Sequence, residues 1–514
     1  MAWLEAQLFA SGLPVEALME KAALAVVARL RQEDCWGRLQ RNGAVVLAGP
    51  GHNGGDGLVV ARELQLAGIA VRIWSPFEHP KPLTDAHRRH ARWLGIHELD
   101  HPPDPVDGAV WIDALFGIGQ RRPLEPELAS LLEERRLQRR QHGAAGGLIA
   151  IDVPSGLCAD SGRPLGSSAA CADLTCCIGL IKRGLVQDSA LAWVGQLERL
   201  DLALPTALLT ELPATTPLLL QPADAADAPW PALPAAAGKY ARGRLLVVAG
   251  SEAYRGAAGL CLQGASASGC GSLRAALPRA VAEQLWQHQP HVVVDAALAS
   301  SPDGGLELAG LAGLKRLDAL VLGPGLGPGP GPDAEPAWQH LQELPALLLL
   351  DADGLNRLAG AGEERTLAWL RGRGGPTWIT PHSAEFNRLF PALSGLEPLE
   401  AAAEAAVTSG CSVLLKGARS VIAAPDGRRW QLGQADAAAA RTGLGDVLAG
   451  YAGGRAAAAI AAGTAADGAL LAAAALEHAV ASLEAVRRRG AGGATAAAVA
   501  IALGERLSRT EEKW

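Results

Sequence analysis

The residues best able to do chemistry stand directly after glycines or at the ends of short apolar runs. The sharpest case is Thr442-Gly443-Leu444-Gly445-Asp446-Val447-Leu448-Ala449-Gly450, which opens a long Ala-rich stretch of helical pattern. Amides of a first helical turn that begins past two glycines can cradle a polyphosphate. A carboxylate in that turn can take a proton from a hydroxyl as the hydroxyl attacks phosphorus. An isolated Asp at a helix start more often just favours the helix dipole, worth about 0.3–1 kcal/mol. The accompanying strand ends reverse that preference. They are Leu322-Gly323-Pro324-Gly325-Leu326-Gly327, Leu350-Asp351-Ala352-Asp353-Gly354-Leu355-Asn356, Ile379-Thr380-Pro381-His382-Ser383-Ala384-Glu385 and Leu414-Leu415-Lys416-Gly417-Ala418. Lys416 can lie in solvent or reach a phosphate, and phosphate contact is preferred. His382 reads equally as a turn residue, and Glu385 as a helix-start carboxylate. Asp351 and Asp353 can cap the next helix, with Asn356 on the side of Asp353.

The first half repeats the theme. Gly49-Pro50-Gly51-His52-Asn53-Gly54-Gly55-Asp56-Gly57 follows a strand and precedes a helical stretch, Asp56–Ala67. Such a turn lets amides approach a phosphate, although no Gly-Lys-Ser/Thr follows to make it a P-loop. Asp113 closes one strand before Ala114-Leu115-Phe116-Gly117-Ile118-Gly119, and Asp152 closes another before Val153-Pro154-Ser155-Gly156-Leu157. A single Asp at a strand end is usually a turn former. Several at the carboxyl ends of one open sheet should face one crevice, where carboxylates and the Asn53 and Ser155 oxygens suit a hard cation or proton transfer.

Short apolar runs at Ala44–Ala48, Ala70–Trp74, Ala109–Ile112 and Leu148–Ile151 must position these residues in the first half. Arg244–Ala249, Gly271–Leu273, Ala319–Leu322, Ala346–Leu350, Thr377–Ile379 and Ser412–Leu415 do so in the second. Arg274 follows one of these strands. Strand–turn–helix repetition predicts right-handed βαβ units and mostly parallel sheets. Prolines and alanines between 205 and 238 predict a linker. A chain of 514 residues holds two or three domains. Its net charge of −7 gives no general attraction to nucleic acid or anionic membrane. No run is read as long and apolar enough to span a bilayer, the Ala-rich stretch near 469–482 being broken by Glu477 and His478. The eight cysteines show no Cys-x-x-Cys spacing. With no basic leader at Met1, the expected location is the cytoplasm.

In order and spacing the motifs resemble known families. Leu18-Met19-Glu20-Lys21-Ala22-Ala23, the glycine-rich loop, Asp113-Ala-Leu-Phe-Gly-x-Gly, Ile151-Asp-Val-Pro-Ser-Gly-Leu and Lys182-x-Gly-Leu resemble the NAD(P)H-hydrate epimerase, or YjeF N-terminal, domain. The second-half motifs resemble the nucleotide-dependent NAD(P)H-hydrate dehydratase domain, a ribokinase-like branch. Together they imply a bifunctional cofactor-repair enzyme of α/β class. A Rossmann-like three-layer domain would span 1–205, a Pro/Ala-rich linker 206–236, and a ribokinase-like three-layer domain 237–508.

The resemblance further implies roles. Potassium would sit at Asn53, Asp113 and Ser155. Epimerase substrate contacts would fall at His52, Asn53, Gly54, Gly55, Asp56, Gly117, Ile118, Gly119 and Asp152, with Asp152 catalytic. The hydrated dinucleotide would meet Ala258, Gly325, His382 and the catalytic Asp446. ADP or ATP, with magnesium, would meet Lys416, Gly417, Ala418, Arg419, Ser420, Gly443 and Gly445. A homo-oligomer is expected, with neither nucleic acid nor membrane as partner. Departures are His52 and Lys21 where the family carries Asn, Ala23 for Gly, Ser383-Ala384 for Pro-Gly, and the Gln434–Thr442 stretch for an Asn-Pro-Gly-rich one. Two other readings stay open at this point: a ribokinase-like small-molecule kinase, and a non-catalytic nucleotide-binding protein.

Overall fold

The computed structural model describes residues 1–142, 146–231, 236–298, 305–306, 316–434 and 436–511. Pro234 of the expected linker and Ala435 of the loop before Gly443 lie outside the described residues. Two compact units divide the chain, Met1–Leu212 and Pro213–Trp514.

The first unit is built on seven parallel strands: β1 (Ala44–Ala48), β2 (Val71–Trp74), β3 (His97–Glu98), β4 (Val110–Ala114), β5 (Leu148–Ile151), β6 (Leu174–Ile178) and β7 (Gln196–Leu200). Their order is β3-β2-β1-β4-β5-β6-β7. The central strands are buried on both faces, which is why they read as unbroken apolar runs. Val45, Leu47 and Trp111 enter the core on one face, and Val46, Ala48 and Ile112 the core on the other. Helices supply the outer layers.

Among the described residues the second unit carries ten strands: β8 (Leu218–Leu220), β9 (Arg244–Val248), β10 (Ser272–Pro278), β11 (Val293–Leu298), β12 (Ala319–Leu322), β13 (Leu347–Leu350), β14 (Thr377–Ile379), β15 (Ser412–Leu415), β16 (Val421–Ala423) and β17 (Arg429–Leu432). The order is β11-β10-β9-β12-β13-β14-β15-β16-β17-β8, parallel from β11 to β15 and antiparallel through β16 and β17. Leu245 and Val247 face one core, Leu246 and Val248 the other. Both units are thus three-layer α/β structures.

Several local readings change. Within 206–236, Leu218–Leu220 forms the edge strand beside β17; three leucines among prolines give no periodic signal. Trp230 further along donates to Glu477 at 2.9 Å and lies 4.0 Å beneath the Arg455 guanidinium. The first strand–helix junction also differs, since its helix spans His52–Leu66 rather than opening at Asp56. A Cβ at Gly54 would sit 1.9 Å from the Gly49 carbonyl oxygen, and one at Gly49 would sit 1.7 Å from that of Leu115. These glycines let backbone pack on backbone. Asp113 lies inside β4 instead of closing it, and Arg274 lies inside β10, where it pairs with Asp295 of β11. The helix Gly468–Gly493 corrects the membrane reading: by length and composition it could cross a bilayer, and 67% of its most apolar window is buried inside the molecule. Glu477, which interrupts it, accepts from Tyr451 at 2.7 Å.

The helix Leu444–Ala461 that starts with the Gly-x-Gly-Asp motif packs unusually close to the helix Arg255–Ala267. A Cβ at Gly450 would fall 1.8 Å from the Cys261 carbonyl oxygen, and neither backbone can yield cheaply. Gly450→Ala should therefore lower stability by about 1–3 kcal/mol through overpacking, whereas helix propensity alone would raise it. Chemical denaturation followed by tryptophan fluorescence reads the sign.

Candidate active sites

In the first unit, the carboxyl ends of β1, β4 and β5 converge. Asp113 is fully buried, and its oxygens accept from the Ser155 amide at 2.8 Å, the Ser155 hydroxyl at 2.7 Å and the Leu115 amide at 3.2 Å. Burial raises its pKa, and these hydrogen bonds oppose the rise. Ser155 Oγ also accepts from the Phe116 amide at 3.0 Å. The Asn53 side chain stands over Gly117, where a Cβ would lie 3.4 Å from its amide carbon, and its Nδ2 has no partner among the described residues. Asn53, Asp113 and Ser155 are therefore brought into one neighbourhood.

A second group lines a pocket of about 540 Å³ that includes Glu5, Met19, His52, Asp56, Asp152 and Lys182. Asp152 sits just past β5 in a left-handed conformation, φ +68°, which costs energy for any residue but Gly. Its carboxylate is fixed by an ion pair with the buried Lys182 ammonium and by the Ile178 amide at 3.1 Å. Lys182 also donates to the Ile178 carbonyl at 2.8 Å. Burial works against the charge on Lys182, but Asp152 and Cys177 hold its pKa above the ordinary value. Burial, then the charges of Asp152 and Glu5, push Asp56 well above the usual carboxyl range. Glu5 is raised for the same two causes, burial first and Asp152 second. His52 is lowered by burial and by Lys81, so its ring is neutral near pH 7.

Of the other expected contacts, Gly54 and Gly55 are buried against Gly49 and Met19, and Ile118 packs against the Val153–Leu157 cluster. Gly119 has open space around it. Lys182 had been visible only as part of a motif. Glu5, on the helix Ala2–Ala10, carried no signal, because nothing in the local sequence says which pocket an N-terminal helix will line.

The second unit centres on Lys416. Its ammonium lies 2.7 Å from Asp351 and 4.0 Å from Glu385, both nearly fully buried. A Cβ at Gly445 would stand 3.4 Å from Lys416 Nζ and 3.8 Å from an Asp351 oxygen. The ion pair thus abuts the first turn of the helix Leu444–Ala461, whose N-cap Gly443 has φ +91°. Asp446 is in that turn. Burial first, then Asp351 and Asp353, raise its pKa to about 7 against the lowering pull of Lys416. Glu385 is raised by burial despite Lys416. Lys416 itself is held up by Asp351, Glu385 and Asp446 against desolvation.

Asp351, read from sequence as a cap, instead holds Lys416. The helix Asp353–Ala359 is entered through Ala352 at φ +48°. Asp353 accepts from the Gly327 amide at 2.8 Å and from Asn356 at 3.3 Å, so Asn356 and Asp353 do share a side. His382 is the N-cap of the helix Ser383–Leu389: its Nδ1 accepts from the Ala384 amide at 3.1 Å, while Glu385 accepts from the His382 amide at 2.8 Å. The ring is half-exposed, and its Nε2 lies 3.3 Å from Glu385 Oε1. Gly417 and Ala418 are exposed, and the Ser420 hydroxyl closes that loop on Gly417 at 3.3 Å. The Ala258 side chain is fully buried. Gly325 lies buried against Tyr254 and Ala257 at φ +66°. Arg441 is turned onto the Ala491 carbonyl.

Two family profiles match the chain, one described as NAD(P)H-hydrate dehydratase over residues 245–503 and one as YjeF-related protein N-terminus over residues 15–184. A bifunctional NAD(P)H-hydrate repair enzyme from Gloeobacter violaceus is 43% identical over 460 residues, covering 88% of this chain and 86% of its own. A protein of the same description from Synechocystis is 40% identical, over 88% of this chain and 83% of its own. Among solved structures, an ADP/ATP-dependent NAD(P)H-hydrate dehydratase from Bacillus subtilis, co-crystallised with ATP and magnesium, aligns with a TM-score of 0.44 at 22% identity, covering 57% of this chain and 99% of that one. With 43% identity sustained over 88% of its length, the chain belongs to the family of bifunctional NAD(P)H-hydrate repair enzymes.

Proposed function

We propose that the chain repairs hydrated NAD(P)H in two steps, one in each unit. The first unit interconverts the R and S hydrates at the Asp152 pocket. The second returns the S hydrate to NAD(P)H with ADP or ATP, releasing AMP or ADP and phosphate. The observation that carries this reading is the Asp446 carboxyl, titrating near neutrality in a helix turn that also meets the Lys416 ammonium.

Asp446 takes the proton of the ring hydroxyl as its oxygen attacks the terminal phosphorus. The amides from Gly443 to Asp446 stabilise the charge growing on the transferred group. Lys416, pinned by Asp351, holds the phosphate chain by its charge, and the exposed Gly417–Ser420 loop carries the rest of the nucleotide. Expulsion of phosphate, with loss of a proton from the adjacent ring carbon, restores the ring double bond. Asp351, Glu385 and Asp446 outnumber the one ammonium. Such a carboxyl-rich site fits a nucleotide that brings magnesium, which would supply charge neutralisation when bound.

In the first unit Asp152, held by Lys182, is the proton acceptor, and Asp56, pushed towards its neutral form, is the acid facing the same pocket. His52 contributes a neutral ring at the rim. Asn53, Asp113 and Ser155 offer an oxygen-rich set around a buried carboxylate with no basic partner among the described residues, a chemistry that fits potassium. Bound there, the ion supplies a fixed positive charge.

Asp446→Asn should abolish dehydration while the protein stays folded; turnover of the S hydrate at the parent rate would refute the base assignment. Because the base must be ionised and its carboxyl titrates at about 7, kcat/KM for dehydration should climb tenfold per pH unit below that point and level off above it. A profile flat from about pH 5.5 to 8 would contradict the mechanism. Asp152→Asn should stop R-to-S conversion and spare nucleotide-dependent dehydration of pure S hydrate, followed as recovery of reduced-nicotinamide absorbance.

A further inference from the structure

A second concave site lies at the opposite end of the first unit's sheet from the Asp152 pocket. It is open to solvent and is lined by Arg38, Arg136, Arg139, Arg140, Gly147, Cys171 and Asp173. Gly147 precedes β5 and Asp173 precedes β6, whereas Asp152 follows β5, so roughly 15 Å of strand separates the two. Four guanidiniums face one carboxylate. That carboxylate is already engaged on both oxygens, by Arg139 and by the Leu148 amide at 2.9 Å.

The four arginines are not equivalent. Arg139 is a framework residue, bound to Asp173 and to the Cys171 carbonyl at 2.7 Å. Arg136 pairs with Glu133. Arg38 reaches only the Asp34 carbonyl, at 3.2 Å, and neither Arg38 nor Arg140 has an ion-pair partner among the described residues. Burial lowers Arg139, Cys171 opposes that lowering and the charge of Arg38 adds to it, so four like charges are gathered where ion pairs serve only Arg136 and Arg139 among the described residues. Position at a helix end accounts for part of this, since Arg139 and Arg140 are in the last turn of the helix Pro126–His142, where basic side chains meet unpaired carbonyls. It does not account for Arg38, which comes from the helix Glu33–Asn42. A Cβ at Gly147 would sit 3.1 Å from Arg38 Nη1, so the bare glycine keeps that guanidinium's approach open.

We propose that this pocket binds a small polyphosphate-bearing anion, gripped by Arg38 and Arg140 and seated on Arg136 and Arg139, at a site separate from both catalytic centres. Guanidinium forks match phosphate oxygens two at a time. Arg38 and Arg140 bind nothing the fold needs, so their replacement leaves the unit intact.

The probe is inorganic pyrophosphate, titrated calorimetrically into the full chain. The dehydratase site can also take this anion, so three proteins are compared: the parent, R38Q/R140Q and K416M. Binding at the arginine pocket should persist in K416M and weaken about tenfold or more in R38Q/R140Q, with R-to-S conversion unchanged in the latter. In the parent, pyrophosphate should also slow alkylation of the half-buried Cys171 by iodoacetamide, read by peptide mass mapping against Cys158. Identical pyrophosphate binding in the parent and R38Q/R140Q, or Cys171 labelling indifferent to the anion, overturns the proposal.

Discussion

A buried ammonium set among more carboxylates than it can neutralise organises both halves of this molecule. Burying a charge costs several kcal/mol unless a partner compensates it. Lys182 and Lys416 are each compensated by one aspartate, Asp152 and Asp351 respectively. Once that pairing is made, every further carboxylate meets a low-dielectric wall and a cation already shared. Asp56 and Glu5 in the first unit, and Asp446 and Glu385 in the second, are accordingly all displaced upward. The paired aspartate fixes the lysine. The unpaired carboxyl is left easier to protonate, and that of Asp446 is raised to about 7. Two unrelated sheets arrive at the same device because parallel strands deliver their following residues to one edge.

Holding those residues at the edge demands strained backbone. Asp152 immediately after β5 and Ala352 two residues after β13 are both left-handed without being glycine. Each lies within a turn that presents a carboxylate to a lysine following another strand, Lys182 after β6 and Lys416 after β15, and the ion pair offsets part of the conformational cost. The same economy explains the density of glycine. Gly49, Gly54, Gly264 and Gly450 have backbone atoms of a neighbouring element at about the place a Cβ would need. Helices starting at catalytic turns are thereby pulled deeper onto the sheet or onto each other than side chains would permit.

That economy also set the limit of what the sequence disclosed. Central strands were legible because burial on both faces leaves an unbroken apolar run: Ala44–Ala48, Leu148–Ile151 and Ser412–Leu415 fall where the composition put them. Elements at or next to a sheet edge were not. Leu218–Leu220, Gln196–Leu200 and Arg429–Leu432 mix polar residues or are too short for a period to register. A glycine that admits a phosphate and a glycine that admits a neighbouring backbone are the same letter, so Gly49 and Gly54 could not be told apart from an anion loop. Among site residues, the strand-end motifs correctly flagged Asp113 and Ser155 as neighbours and Asp446 as the occupant of a helix mouth. His382 was ambiguous for a physical reason: Thr-Pro-His followed by Glu385 spells both a ligand loop and a capping box, and the structure makes it a capping box. Arg38 and Arg140, 102 positions apart in sequence, gave no hint that both would line one pocket beside Gly147.

The residues proposed for each activity lie within one unit, around a core that belongs to that unit. The two activities therefore need no shared residue and no common conformational step to act in sequence. Their coupling is chemical. Removal of the S hydrate by an exergonic phosphoryl transfer displaces the R/S equilibrium, and an acid–base pocket that treats both epimers alike refills it. Such coupling asks only that the first site stay reversible while the second is driven. The electrostatics divide the same way: the Asp152 cleft holds a lysine-paired carboxylate beside a raised carboxyl, an arrangement suited to moving a proton in either direction, while the raised carboxyl of Asp446 lies at a helix mouth whose amides would stabilise charge on a transferred phosphoryl group.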